Sequence, residues 1–400
     1  MPGFELFGDA ERREVQDVLD SGILMRYGFD KARDGKWKAK ELEELIKIRF
    51  KSKNAFLCSS GTAALSMSLA ASGIGSGDEV IIPSFTFVAS FEAILLIGAT
   101  PIVVDIDETL TLDIESVIES INDKTKAIMP VHMCGSMANL DALVKICKDN
   151  SLLLIEDACQ AIGGTYNGRS LGTIGDLGCF SFDFVKTVTC GEGGVVITNN
   201  EVFARNLDSF GDHGHDHIGN SRGAENHPYI GYNFRISELN AAVGLAQFRR
   251  IDEFLELQRK NYSILFNSLK SISHIKFRSV PTGGQQSFAF LNFFLENYNL
   301  TKSVMKMFKS NGIENCFHYY DNNWHYVRNW EHLINQRSLY PLSSEQKSGL
   351  EYLRSKKFLK SDYFISKNIS CLIKLSWTVD EAENLAQKMV YCIKKVISNS

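Results

Sequence analysis

Two pieces of one stretch decide the fold: LLLIEDACQ at 152–160 and CFSFDFVKTVTCGEGG at 179–194. The first is an apolar run, 152–155, that stops abruptly at Glu156-Asp157. A short apolar run bounded this way reads as a buried strand, and open α/β sheets place their chemistry at the carboxyl tips of such strands. The second is a strand-like run at 179–182, followed by a lone Lys186 and the turn Gly191-Glu192-Gly193-Gly194. A lysine beside hydroxyls and a glycine-rich turn suits a cofactor that carries both a carbonyl and a phosphate. Lys186 lies between a buried-looking run and that turn, so a plain surface lysine is the weaker reading.

Upstream, residues 56–58 read as a strand entering Ser59-Ser60-Gly61-Thr62-Ala63-Ala64-Leu65, which opens a helix. Small residues there let backbone N–H groups approach an anion, and the helix dipole favours phosphate. Alone, the same string is equally an ordinary helix cap. Strand-like runs at 79–83, 101–105 and 127–132 alternate with helical patterns, which argues a parallel α/β sheet. His132 is read as a structural or pocket-wall residue.

The spacing predicts helices over 8–20 and 40–50, joined by a loop in which Arg26, Lys31, Arg33, Lys36 and Lys38 gather positive charge. That loop is either a solvated connection or a substrate-binding arm. Beyond the central stretch, His213, His215 and His217 alternate, a spacing poorer than that of structural zinc sites, so no metal is expected. Ser237 caps a helical pattern running to about Leu269. The remainder alternates strand-like and helix-like runs at 288–294, 302–311 and 379–397, which suits a smaller α/β domain. Between them, residues 316–330 crowd aromatics among polar side chains, Tyr320, Trp324 and His325 included. Such a cluster either lines a carbohydrate pocket or staples two domains together.

Bulk properties agree with a soluble globular protein. Four hundred residues suit a large domain, expected at 1–260, plus a smaller one at 261–400. Hydrophobic residues make up 44% and charged ones 22%, the balance of an ordinary globular protein. A net charge of −4 gives no field favouring nucleic acid, and the apolar stretches are too short for a bilayer. The nine cysteines form no CxxC pair, and the first residues lack a signal-peptide pattern, so reduced thiols and a cytoplasmic location are expected.

Glu156-Asp157-Ala158-Cys159-Gln160, Phe180-Ser181-Phe182 with Lys186, and Gly191-Glu192-Gly193-Gly194 together resemble the DegT/DnrJ/EryC1/StrS sugar aminotransferases. The resemblance covers nearly the whole chain. It implies the aspartate-aminotransferase-like fold (pyridoxal phosphate fold type I), a large domain with a mostly parallel sheet and a smaller C-terminal α/β domain. It implies pyridoxal 5′-phosphate as cofactor, carried on Lys186. Asp157 would face the pyridine nitrogen, Phe87 would stack on the ring, and Gln160 would sit beside the ring hydroxyl. Gly61, Thr62 and Ser181 would hold the phosphate, joined by Asn233 from the other subunit of a homodimer with shared sites. L-Glutamate and a carbonyl sugar would be the substrates. Arg26, Tyr27, His213, Tyr320, Trp324 and His325 are expected to contact the sugar. Most of the family acts on nucleotide-linked 4-keto-6-deoxyhexoses. The opening Pro2-Gly3-Phe4-Glu5, the Arg26-Tyr27-Gly28-Phe29 loop and Asn323-Trp324-His325 resemble instead the branch that aminates the C8 aldehyde of an oxidised octulosonate. A regulator that binds the same cofactor without turnover is the reading from another class.

Overall fold

The structure, a computed structural model, describes residues 2–219 and 221–399. In chain order its strands are β1 Asn54–Cys58, β2 Glu79–Pro83, β3 Thr100–Val104, β4 Thr125–Ile128, β5 Leu153–Asp157, β6 Thr165–Tyr166, β7 Arg169–Ser170, β8 Leu177–Ser181, β9 Gly194–Thr198, β10 Lys276–Phe277, β11 Gly284–Gln285, β12 Phe290–Phe294, β13 Cys316–Phe317 and β14 Asn368–Leu372. Seven of them form the central sheet in the order β1-β9-β8-β5-β4-β2-β3. All run the same way except β9, which is antiparallel to both β1 and β8. The carboxyl ends of β1, β5 and β8 and the start of β9 therefore meet at one edge. There Cys58 and Ser181 both lie opposite Gly194, and Asp157 lies opposite Cys179.

Strand periodicity sorts the side chains onto two faces. Val80, Ile82, Ile155 and Val196 enter one core, while Ile81, Leu154, Val195 and Ile197 enter the other. The helices Gly61–Ala71, Val88–Leu96 and Glu201–Gly211 cover the first face, and Lys38–Phe50, Leu140–Asn150 and Glu238–Arg249 cover the second. With both faces covered, strands of near-continuous Val, Ile and Leu are what the sheet requires. The Gly61–Ala71 helix is buried almost all round, which its small residues permit.

A four-stranded antiparallel sheet, β10-β12-β14-β13, supports a third core with the helices Ile251–Leu269, Tyr298–Ser310 and Val379–Ile397. The Ile251–Leu269 helix carries the chain between cores: Ile251 and Phe254 pack in the second, Tyr262 and Leu265 in the third. Part of the C-terminal chain returns to the large sheet, where Gln346 Nε2 donates to the Leu95 oxygen at 2.8 Å and Leu350 and Leu353 join the first core. β6, β7 and β11 make a small separate sheet. Among the described residues no helix is long and apolar enough to cross a membrane.

The helix expected continuously from Ser237 is two helices, Glu238–Arg249 and Ile251–Leu269, broken at Arg250 (φ −103°, ψ 10°). Arg250 Nη1 donates to the Leu6 oxygen at 3.0 Å, a tie to the N-terminal segment that no helical periodicity signals.

Candidate active site

At the carboxyl edge a cavity of about 550 Å³ opens, a volume ordinary for a small-molecule site. Its lining brings together Gly61, Thr62, Phe87, Asp157, Gln160, Ser181, Lys186, Trp324 and His325. Nine of the expected residues, far apart in sequence, thus share one space.

Asp157 ends β5 and is buried. One carboxylate oxygen accepts the Ser90 hydroxyl at 2.7 Å and the other the Cys159 N–H at 3.1 Å. Ser90 is itself 2.7 Å from the Thr86 hydroxyl, so a short hydroxyl chain from the first turn of the Val88–Leu96 helix fixes the carboxylate. Neighbouring Glu156 points to the opposite face, as strand periodicity demands. It meets His132 Nε2 at 2.8 Å and the backbone N–H groups of Gly172, Ile174 and Gly175 at 2.6–2.8 Å. Burial pushes the Glu156 carboxyl up, but His132 and those N–H groups outweigh it and hold the group below its usual range. His132 is thus structural.

Lys186 follows β8 on a loop and lines the cavity. Its carbonyl accepts the Gly3 N–H at 2.8 Å, which brings the N-terminal segment to the site: Pro2, Phe4 and Glu5 line the same cavity. The phosphate end fits as follows. Ser60 caps the Gly61–Ala71 helix by accepting the Ala63 N–H, leaving the first N–H groups of the helix directed outward, where an anion is favoured. A Cβ on Gly61 would stand 2.8 Å from the Ser181 Cβ and 3.3 Å from the Cys159 sulfur, so only glycine leaves this cradle open. Helix terminus, hydroxyl, lysine and buried carboxylate are the donor set that pyridoxal phosphate needs, and the residues present fit it.

The aromatic wall is real. Trp324 and His325 stack at 4.9 Å, Tyr319 lies 4.8 Å from His325, and Phe87 meets His325 edge-on at 5.7 Å. His325 is 5% exposed and its Nδ1 has no hydrogen-bond partner. Burial, reinforced by the Lys186 charge, pushes its imidazole down to about 3, so the ring is neutral at ordinary pH.

Other expected residues lie elsewhere in the protomer. Tyr320 turns away from the cavity and meets Arg328 through its hydroxyl. The basic arm is not an arm of free charge. Arg26 bonds the Leu57 oxygen and Glu43, each at 2.7 Å, Arg33 pairs with Glu238 at 3.5 Å, and Lys38 pairs with Glu14 and Asp17. Lys36 also reaches Asp17. Acids remote in sequence thus pair with four of the five charges, leaving Lys31 exposed, and Arg33 and Lys38 are buried. Tyr27 donates to Asp208 at 3.1 Å. His213 is exposed outside the cavity, and His217 faces Asp212, which Arg222 and Arg235 also bind. Asn233 bridges to Asp212 and is exposed in the single chain.

Sequence reasoning missed Ser90, Thr86 and Lys374, all of which line the cavity. For Ser90 a signal existed: Thr86 and Ser90 stand four residues apart across a helix start, so they share a face.

Fold and site define a pyridoxal-phosphate-dependent aminotransferase of fold type I. The family model described as the DegT/DnrJ/EryC1/StrS aminotransferase family matches residues 7–350, and the chain belongs to that family. It is 33% identical to the GDP-perosamine synthase of Vibrio cholerae over 84% of this chain and 88% of that protein. It is 42% identical to the GDP-perosamine synthase of Caulobacter vibrioides over 52% of this chain, a match spanning about half (55%) of that relative's length. Among solved structures, the aminotransferase from Psychrobacter cryohalolentis superposes with a TM-score of 0.82 at 26% identity, covering 98% of both chains.

Proposed function

We propose that the protein transfers an amino group from L-glutamate to a carbonyl sugar, with Lys186 as the residue that holds the cofactor and moves the proton. The observation that carries this reading is the convergence of Lys186, Asp157, Ser181 and the Gly61–Thr62 helix start on one cavity. When bound, pyridoxal phosphate supplies the electron sink that transamination requires. With the cofactor bound, Lys186 Nζ would serve as the base and acid that moves a proton at the substrate carbon. Asp157, held in place by Ser90 and the Cys159 N–H, would face the ring nitrogen. Phe87 would cover the ring, Gln160 would offer its amide beside the ring hydroxyl, and Gly61, Thr62 and Ser181, which line the same cavity, would hold the phosphate. The apolar and aromatic side chains of the wall would displace water from the bound group, which strengthens each of these interactions.

For the sugar, the finer reading is the C8 aldehyde of 8-oxo-3-deoxy-manno-octulosonate, aminated to the 8-amino-3,8-dideoxy sugar of lipopolysaccharide. Two features behind it, Pro2-Gly3-Phe4-Glu5 and Asn323-Trp324-His325, contribute Pro2, Phe4, Glu5, Trp324 and His325 to the cavity. The third, the basic loop, lends it little support, because all of its charges but that of Lys31 are spent on internal pairs. A nucleotide-linked 4-keto-6-deoxyhexose is the competing substrate, favoured by the similarity to GDP-perosamine synthases. The chain divides in this reading into a cofactor-binding unit, 1–260, and a unit, 261–400, that closes over it. It acts in the cytoplasm as a homodimer. Asn233 sits beside a groove lined by Phe210, Tyr232, Phe234 and Ile230, with Ile230 87% exposed, which a second copy would cover. Tyr27 and His213 lie on that side and would reach the partner's site.

The test is two half-reactions followed by visible absorption. Glutamate converts the lysine-bound form to the pyridoxamine form, donor is removed, and single sugars are offered. Recovery of the original band with the 8-oxo-octulosonate alone supports the finer reading. Recovery with nucleotide-linked keto sugars alone replaces it with the competing one. Cofactor binding without any response to glutamate would favour the regulator.

A further inference from the structure

Gln160 is held in place by a turn, and the turn by the C-terminal chain. The Gln160 side-chain oxygen accepts the Cys134 N–H at 3.0 Å, so its amide nitrogen is the group it can offer to a ligand. Cys134 has φ 52° and ψ 33°, and Gly135 follows at φ 77°. A cysteine in the left-handed region is strained and keeps that shape only where its surroundings enforce it. Here residues 278–287 grip all three carbonyls of the turn. The Arg278 guanidinium donates to the Met133 oxygen at 2.9 Å and the Cys134 oxygen at 2.8 Å, and the Ser287 N–H donates to the Gly135 oxygen at 2.7 Å.

Arg278 is 6% exposed, and among the described residues it forms no ion pair with a carboxylate. Its third partner is the Gln286 side-chain oxygen at 2.9 Å, and Gln286 is anchored on the Tyr262 hydroxyl at 2.7 Å. A buried cation without a counter-charge is a poor device for stability alone. A planar fork that spans two adjacent carbonyls is, however, what fixing such a turn requires, and lysine cannot supply it. Arg278 also leaves through its own N–H to the Asn292 oxygen on β12, so the link runs from the third core to the cofactor wall.

We propose that Arg278 is a positioning residue for the cofactor: by clamping the strained 133–135 turn, it aims the Gln160 amide into the cavity and ties the C-terminal chain to the occupied site. The proposal rests on Gln160 being a cofactor contact, as read above.

The experiment compares the full-length wild type with Gln160→Leu, Arg278→Met, the double variant and Arg278→Lys. Two quantities are read: the cofactor dissociation constant, by titrating pyridoxal phosphate into stripped protein, and the pH midpoint of the visible band. Losing one hydrogen bond predicts binding about tenfold weaker for Gln160→Leu. Arg278→Met is expected to match that loss and move the midpoint the same way, and the double variant to be no worse than the poorer single. A merely structural arginine would instead lower resistance to urea while leaving affinity and midpoint at wild-type values, or would multiply with Gln160→Leu; either result overturns the proposal. Should Arg278→Met not fold, Arg278→Lys must fall between wild type and Gln160→Leu in both readouts, and wild-type values would overturn it. If Gln160→Leu moves and the Arg278 variants do not, the proposal alone fails. If Gln160→Leu does not move, the cofactor reading of Gln160 fails with it.

Discussion

Gly61→Ala is a sharp perturbation because it adds one methyl group at a place where the geometry is fully specified. The new Cβ would lie 2.8 Å from the Ser181 Cβ, 3.1 Å from its hydroxyl oxygen and 3.3 Å from the Cys159 sulfur, against ordinary contacts of 3.4–4 Å. Ser181 ends a strand locked between β5 and β9, so it cannot retreat alone. Overfilling a tight site costs about 1–3 kcal/mol, and exchanging glycine for alanine in a helix returns up to about 1 kcal/mol. The unliganded protein should therefore lose no more than about 3 kcal/mol on the same reckoning. Cofactor binding should suffer more. The methyl displaces both the helix start and the Ser181 hydroxyl from the phosphate, and one charge-assisted hydrogen bond is worth about 1.5–3 kcal/mol. That corresponds to roughly 10- to 100-fold weaker binding of pyridoxal phosphate. Equilibrium titration of stripped protein, followed by absorbance, measures the constant, and urea denaturation of the same protein measures the stability. Unchanged affinity in a folded Gly61→Ala protein would refute the placement of the phosphate between helix and Ser181.

Three further outcomes are expected. Ser90→Ala removes the 2.7 Å bond to Asp157, and it should lower kcat by about tenfold or more with little change in melting temperature, a split that steady-state kinetics and calorimetry would show. Arg33→Met breaks a buried pair with Glu238 and should cost about 3–5 kcal/mol in urea denaturation while leaving the sugar KM unaltered; a raised KM without lost stability would restore the substrate-arm reading. His325 is held neutral down to about pH 3, so between the ordinary histidine value of 6.5 and 3 the unfolded chain binds the extra proton. Stability should therefore fall on acidification through that window, by up to ~1.4 kcal/mol per pH unit, and His325→Gln should flatten the slope relative to wild type.

Much of this site could be read from the chain because it is built from strand tips. The run ending in Glu156-Asp157 and the spacing of Ser181 and Lys186 announce the carboxyl edge, and the small residues at 59–64 announce a helix start near an anion. The pleat then decided what composition could not: Asp157 faces the cavity and Glu156 the core, one residue apart. The basic loop was misleading for a physical reason. Its partners Glu43, Glu238, Glu14 and Asp17 come from other helices, and only the fold brings them within reach. The periodic helix breaks at Arg250 without a glycine or proline, where the guanidinium bonds the Leu6 oxygen some 240 residues away. The aromatic segment divided as well: Trp324 and His325 face the cavity, whereas Tyr320 turns to Arg328.

The most direct test treats the loaded protein with borohydride, which makes the lysine–cofactor linkage permanent, and maps the label by mass spectrometry. Reduced cofactor on the peptide containing Lys186, lost in Lys186→Ala and absent after prior conversion with glutamate, is the predicted result. Label on another lysine, or none on a protein that saturates with pyridoxal phosphate, would contradict the assignment of Lys186 and the aminotransfer chemistry built on it.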